Sequence, residues 1–253
     1  MTLLEHDKHA FDEAHYDRLY FEGHVVRYER QVYRQRVDSV GRFMGDVAGL
    51  SVLDLGCGVG FFGGTAQRRG ARVTGLDFSA VALEMCRQLQ PAIPVVRGDA
   101  TKLPYADRSF DVVLMNDIVE HLAEEMGAQM MRETFRVLRP GGRLVVDTDN
   151  DAFLMHKKGF RRINDWLEKD TPQRVALREI KQTYNAPTLH IKLYSVRELR
   201  ALLESVGYVI EDFDTYPYIA VPSRDALFNL PGLRGLFRGV KGDVQIFRAR
   251  KPG

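Results

Sequence analysis

The stretch Val52-Leu53-Asp54-Leu55-Gly56-Cys57-Gly58-Val59-Gly60 decides the fold. An apolar run leads into a glycine-rich turn, and the residues from Phe62 onward have a helical pattern. Gly56 permits a tight turn, Gly58 lets the backbone approach a ligand, and the start of the helix offers N–H groups that have no partner within it. Dinucleotide-binding turns are built similarly, but their GxGxxG fingerprint needs a third glycine at position 61. This chain has Gly60 followed by Phe61 and so reads GxGxG. Asp54, two residues before the first glycine, adds a like charge where a pyrophosphate would sit. Both features argue against phosphates and favour a cationic ligand.

Outward from this turn, short β-rich runs appear at 51–55, 72–76, 94–97, 112–115 and 143–146, with helical stretches between them. Strands alternating with helices imply parallel crossovers. Gly70 is a stop for the first helix and Ser79 an N-cap for the second. A third helix is expected over 124–138, with Pro140-Gly141-Gly142 turning into the fifth strand. Ser195 and Gly207 bracket a further helix, and 208–218 with 244–250 read as a final hairpin-like pair. The expected fold class is α/β: a Rossmann-like, doubly wound sheet of seven strands. Aspartates and asparagine over 147–151 read as a polar exit from strand five, and the segment 150–194 breaks the alternation, as an insertion would.

Lys plus Arg number 36 against 34 Asp plus Glu, a balance too even for a dedicated nucleic-acid binder. Two cysteines, Cys57 and Cys86, form neither a disulfide framework nor a metal pattern, which favours a reducing, cytoplasmic setting. No run of about 18 apolar residues suits a membrane span, so no stable membrane insertion is expected. Oligomeric state is not legible.

Two more acids follow strands two and three. Asp77 ends the second strand at about the distance where a carboxylate accepts from both ribose hydroxyls. Asp99 in Gly98-Asp99-Ala100 stands where the exocyclic amine of an adenine can donate. Acids in the loops after strands one to three, with no basic residue among them, suit a cationic adenosyl ligand without phosphates.

The blocks 53–60, Gly75-Leu-Asp-Phe-Ser79, Gly98-Asp-Ala100, Phe110-Asp-Val-Val113 with Glu120-His-Leu122, and Val137-Leu-Arg-Pro-Gly-Gly142 together resemble the class I S-adenosylmethionine-dependent methyltransferases, especially the ubiquinone-biosynthesis-type and other small-molecule enzymes. The resemblance implies a last strand antiparallel to the others and S-adenosyl-L-methionine as cofactor. It places Asp54, Gly56, Cys57 and Gly58 around the methionine moiety, Asp77 at the ribose, Phe78 against the adenine, Asp99 and Ala100 at its edge, and Asn116 beside the methionine part. It also implies an N-terminal helical cap over 1–45, from which Tyr16 and Arg27 would close over the cofactor. The cofactor-binding core would then span 46–149, the insertion 150–194 would be a candidate substrate lid, and 195–253 would complete the core sheet.

Methyl transfer from a sulfonium is an in-line displacement, so alignment and exclusion of water dominate and no covalent enzyme intermediate is needed. A base helps only if the acceptor is a hydroxyl. His121, past strand four, and His190, near the end of the insertion, are the candidate catalytic residues, each weighed against a structural or solvated role. No metal is expected: Asp147, Asp149 and Asp151 at alternate positions fit a polar loop better than a cation site. Trp166, Tyr184 and the basic cluster His156-Lys157-Lys158 with Arg161-Arg162 equip the insertion for an acceptor. The expected partner is a small molecule methylated on oxygen or nitrogen. A nicotinamide-dependent oxidoreductase and a non-catalytic S-adenosylmethionine-binding regulator are the rival readings.

Overall fold

The computed structural model describes residues 31–150, 191–216 and 244–253. In chain order these form α1 (Gln31–Met44), β1 (Ser51–Leu55), α2 (Phe61–Arg68), β2 (Arg72–Asp77), α3 (Ala80–Leu89), β3 (Val95–Arg97), β4 (Phe110–Asn116), a one-turn 3-10 helix (Val119–His121), α4 (Glu124–Val137), β5 (Leu138–Asp149), α5 (Val196–Val206), β6 (Val209–Tyr216) and β7 (Val244–Arg250).

The seven strands make one sheet in the order β3-β2-β1-β4-β5-β7-β6. All pairs from β3 to β5 are parallel, while β7 lies antiparallel between β5 and β6. The expected seven-stranded α/β sheet with an antiparallel last strand is therefore present. The chain leaves β1 toward β3 and then returns to β4 on the other side. That reversal opens a crevice at the carboxyl ends of β1 and β4, where sheets of this kind take ligands.

Side-chain alternation along the strands sorts the core into two layers. Leu53, Leu55, Val113, Met115, Leu144 and Val146 pack with Met130, Met131, Leu199 and Leu203 of α4 and α5. Val52, Val112, Leu114 and Val145 pack with Val40, Phe43 and Met44 of α1 and with Phe62 and Ala66 of α2. By the same alternation Asp54, Asn116 and Asp147 belong to the α1 and α2 side.

The helix ends follow local chemistry. Ser79 accepts from the Ala82 N–H, and Gly70 adopts φ 85° just past α2. Ser195 and Glu198 form a reciprocal capping box, and Gly207 closes α5 at φ 106°.

Two sequence expectations need correcting. Pro140-Gly141-Gly142 does not separate α4 from the fifth strand, because β5 already begins at Leu138. Phe110 pairs with Leu138 and Val112 with Arg143, so these residues bulge out of the strand while Gly141 and Gly142 bond to Lys251. Nor are Asp147 and Asp149 a polar exit. Both lie within β5, paired with Ile246 and Val244 of β7, and both are buried, the Asp147 carboxylate accepting from Arg36 and Tyr216.

Candidate functional site

The glycine turn sits at the carboxyl end of β1, held by Gly56 and Cys57 N–H bonds to the Leu76 carbonyl. Gly56, Gly58 and Gly60 have φ of 68°, 50° and 83°, a region side chains disfavour. Space is short as well: a Cβ on Gly60 would lie 2.6 Å from Cys86 Sγ, and one on Gly56 would lie 2.8 Å from Ile118 Cδ1.

Asp54 is buried beneath this turn, where its Oδ2 accepts from the Gly63 N–H at 2.8 Å in the first turn of α2. Burial raises its carboxyl to about 7; the Gly63 bond opposes that shift and the charge of Asp77 adds to it. The residue thus anchors the start of α2. Asp77 is half-buried at the end of β2, with Oδ2 accepting from the Gly58 N–H at 2.8 Å and Oδ1 from the Ser79 N–H at 2.9 Å.

Phe78 is exposed, and Arg97 folds over it, with its guanidinium carbon 5.6 Å from the ring centroid and Nε donating to the Phe78 carbonyl. Arg97 is the last residue of β3, so a cation does stand at this edge beside the acids. Asp99 is exposed, with Oδ1 accepting from the N–H and hydroxyl of Thr101, and Ala100 is half-buried after it. Cys57 is buried as a packed thiol. Its neighbour Cys86 and burial both hold it far above the usual thiol range, which does not suit a nucleophile.

Asn116 ends β4, one position beyond the Leu55–Met115 pair, and is buried with neither side-chain atom hydrogen-bonded among the described residues. A buried amide in that state is costly, and a ligand is an ordinary remedy. Three residues on, the 3-10 turn carries Glu120, which is buried with Oε2 accepting from the Thr148 hydroxyl, and half-buried His121. Burial, followed by the charge of Asp117, holds the Glu120 carboxyl well above the carboxylate range.

No sequence signal marks the buried ionic cluster beside Asn116. Arg36 of α1 donates from Nε to Asp147 Oδ1 at 2.7 Å, and its Nη2 reaches both Asp147 and Asp117. The Tyr216 hydroxyl donates to Asp147 Oδ2. Asp147 falls in the run that reads as a polar exit and Asp117 between two motif blocks; Arg36 lies 111 residues from Asp147, beyond the reach of any spacing rule.

The fold thus gathers Asp54, Gly56, Cys57, Gly58, Asp77, Phe78, Asp99, Ala100, Asn116 and His121 at the carboxyl ends of β1 to β4. Tyr16, Arg27 and His190 lie outside the described residues, as do Trp166, Tyr184 and the basic cluster of the insertion. Among the described residues, clefts of about 400 and 600 Å³ lie at the opposite edge, lined by residues such as Arg139 and Arg250, and Arg72 and Pro94. Neither touches the glycine turn.

The profile of a methyltransferase domain family matches residues 53–146. A probable S-adenosylmethionine-dependent methyltransferase of Mycolicibacterium smegmatis is 31% identical over 196 residues, which cover 78% of this chain and 62% of that protein. A demethylmenaquinone methyltransferase of Renibacterium salmoninarum is 38% identical over 124 residues, covering 49% of this chain and 48% of that one. The malonyl-acyl-carrier-protein O-methyltransferase of Serratia marcescens is 35% identical over 100 residues, 40% and 38% of the two chains. The chain spans less than two thirds of the length of each of these relatives. Among solved structures, an S-adenosylmethionine-dependent methyltransferase from Mesorhizobium loti has a TM-score of 0.58 at 22% identity, covering 84% of this chain and 96% of that one. The cyclase SpnF has a TM-score of 0.57 at 21% identity, covering 86% and 80%. At such identities these structures establish the fold alone.

Proposed function

We propose that the chain is a class I S-adenosylmethionine-dependent methyltransferase acting on an oxygen or nitrogen of a small-molecule acceptor, a reading supported by the methyltransferase-domain match over 53–146 and by the relative of 31% identity. When bound, the cofactor supplies a methyl group on a sulfonium, open to in-line displacement. The observation that carries the reading is Asn116, whose buried amide has no partner among the described residues at the end of β4, beside the glycine turn.

The surrounding residues fit the cofactor. Gly56 and Gly58 let the backbone approach its methionine part, Asn116 offers that part a donor and an acceptor, and Asp77 brings a carboxylate to the ribose hydroxyls. Phe78 presents an exposed ring to the adenine, with Asp99 and Ala100 at its edge. For a hydroxyl acceptor, His121 is the candidate to take the proton. An amine acceptor can lose its proton to water and needs no such group.

The acceptor side is proposed to reside in 150–194, as a substrate lid. The family profile ends at 146, ahead of this segment. Asn150 and Tyr194 bridge as a parallel pair, which brings the two ends of the segment together on the sheet. Fold alone does not fix the acceptor.

Calorimetry on the purified protein tests the reading. S-adenosylmethionine should bind at one site per chain, and NAD should not. Binding of NAD but not of S-adenosylmethionine would revive the oxidoreductase reading. Tight binding of S-adenosylmethionine with no transfer across a panel of hydroxyl and amine acceptors would favour a regulator.

A further inference from the structure

We propose that Arg36 is a positioning residue of the cofactor site, fixing from α1 the turn at Asp117 that sets Asn116 and Ile118 against the glycine turn. The inference rests on the methyltransferase reading and extends it to a residue upstream of the stretch the family profile matches.

Asp117 has φ 49°, and among the described residues only one other non-glycine residue, Arg108, has a positive φ. Side chains disfavour that conformation, so other contacts must hold it. Two are in place. The Asp117 N–H donates to the Asp147 carbonyl at 3.0 Å, and the Asp117 carboxylate takes the Arg36 guanidinium. The same guanidinium bonds Asp147 from Nε at 2.7 Å, so one side chain clamps the ends of β4 and β5 together.

The turn has consequences on both sides. Before it stands Asn116, with an amide unpartnered among the described residues. After it Ile118 presses on the glycine turn so closely that a Cβ on Gly56 would meet Ile118 Cδ1 at 2.8 Å. Arg36 also sits 5.9 Å above the ring of Phe62 in the first turn of α2, the helix that the glycine turn opens.

The side chains of Arg36 and Asp147 are 3% and 0% exposed and that of Asp117 18%, so water cannot stand in for the guanidinium. A planar fork can serve two carboxylates, whereas an ammonium supplies one point charge and a thioether none. Positioning by charge therefore predicts an order of side chains that mere filling of space does not.

The test measures S-adenosylmethionine affinity by calorimetry, with thermal unfolding as a check on folding. The variants are Arg36→Lys, Arg36→Met, Asp117→Asn and the Arg36→Met/Asp117→Asn pair. Arg36→Met should bind at least tenfold more weakly than wild type, Arg36→Lys should recover to within about threefold, and adding Asp117→Asn to Arg36→Met should cost nothing further. Equal affinities for the Lys and Met variants, or a folded Arg36→Met within twofold of wild type, would overturn the proposal. If Arg36→Met does not fold, Asp117→Asn decides alone: at least threefold weaker binding supports the clamp, and unchanged affinity overturns it. A wild-type protein that fails to bind S-adenosylmethionine removes the methyltransferase reading and the inference with it, an outcome distinct from a variant-specific loss.

Discussion

The Gly58 N–H donates to Asp77 Oδ2 at 2.8 Å, tying the tip of the turn after β1 to the end of β2. One carboxylate thereby shapes the glycine turn and faces the proposed ribose position. Replacing Asp77 by Ala removes both contributions and should weaken S-adenosylmethionine binding by about 1.5–3 kcal/mol, the scale of hydrogen bonds to a charged group. Asp77→Asn retains an acceptor for Gly58 and should lose less. Calorimetry on both variants checks the order, and unchanged affinity in Asp77→Ala would remove the residue from the ribose role.

Gly60 combines φ 83° with a position 2.6 Å from Cys86 Sγ for any added Cβ. Gly60→Ala should therefore lower stability by roughly 1–3 kcal/mol, from backbone strain and the displaced thiol together. Denaturant unfolding would show a lower midpoint at unchanged slope. A midpoint equal to wild type would mean that the turn has another conformation.

Asp54 gives stability a definite pH dependence. Burial lifts its folded pKa to about 7 from an ordinary value of 3.8, so between those limits the folded protein holds a proton that the unfolded chain has lost. Stability from this group is fully present below about pH 4 and declines until about pH 7. Asp147, lifted to about 6 chiefly by burial, adds with the same sign. Asp54→Asn should flatten the decline by up to about 1.4 kcal/mol per pH unit. Unfolding curves at pH 4.5, 6 and 7.5 measure it, and an undiminished slope would exclude Asp54 as its source.

Ser195 caps α5 through its hydroxyl and the reciprocal Glu198 bond. Ser195→Ala should cost about 1 kcal/mol of global stability. Cofactor affinity should not change, because the cap lies outside the glycine turn. A drop in affinity at full stability would instead connect α5 to the site.

Replacing the residues between Asn150 and Tyr194 by a short glycine-serine linker tests the division of labour, since those two residues already bridge. Cofactor affinity should stay within about tenfold, or about 1.4 kcal/mol, while transfer to the native acceptor is abolished. Equal loss of cofactor binding in a folded variant would assign the segment to the cofactor site. Full retained transfer would make it an appendage.

The glycine turn, the caps at Ser79 and Ser195 and the stop at Gly207 were legible because each rests on neighbours within a few residues. So were Asp77 and Asn116, whose place at strand ends follows from the alternation of strand and helix. The extent of β5 was not. Pro140-Gly141-Gly142 carries a strong local turn signal, and only pairing with β4 and the bonds to Lys251 draw it into a bulged strand. Asp147 and Asp149 misled in the same way, because a polar run looks solvated until its partners are known.

The sequence by itself determined the α/β class, the position of the glycine turn and the strand ends beside it, since these depend on periodicity and short motifs. Tertiary structure alone decided that Asp54 lies beneath the turn as an anchor for α2, that Arg97 covers Phe78, and that Arg36 joins Asp117 and Asp147. Each of these depends on burial and on contacts between segments far apart in the chain. Local spacing carries no record of which charge will find which partner once water is excluded.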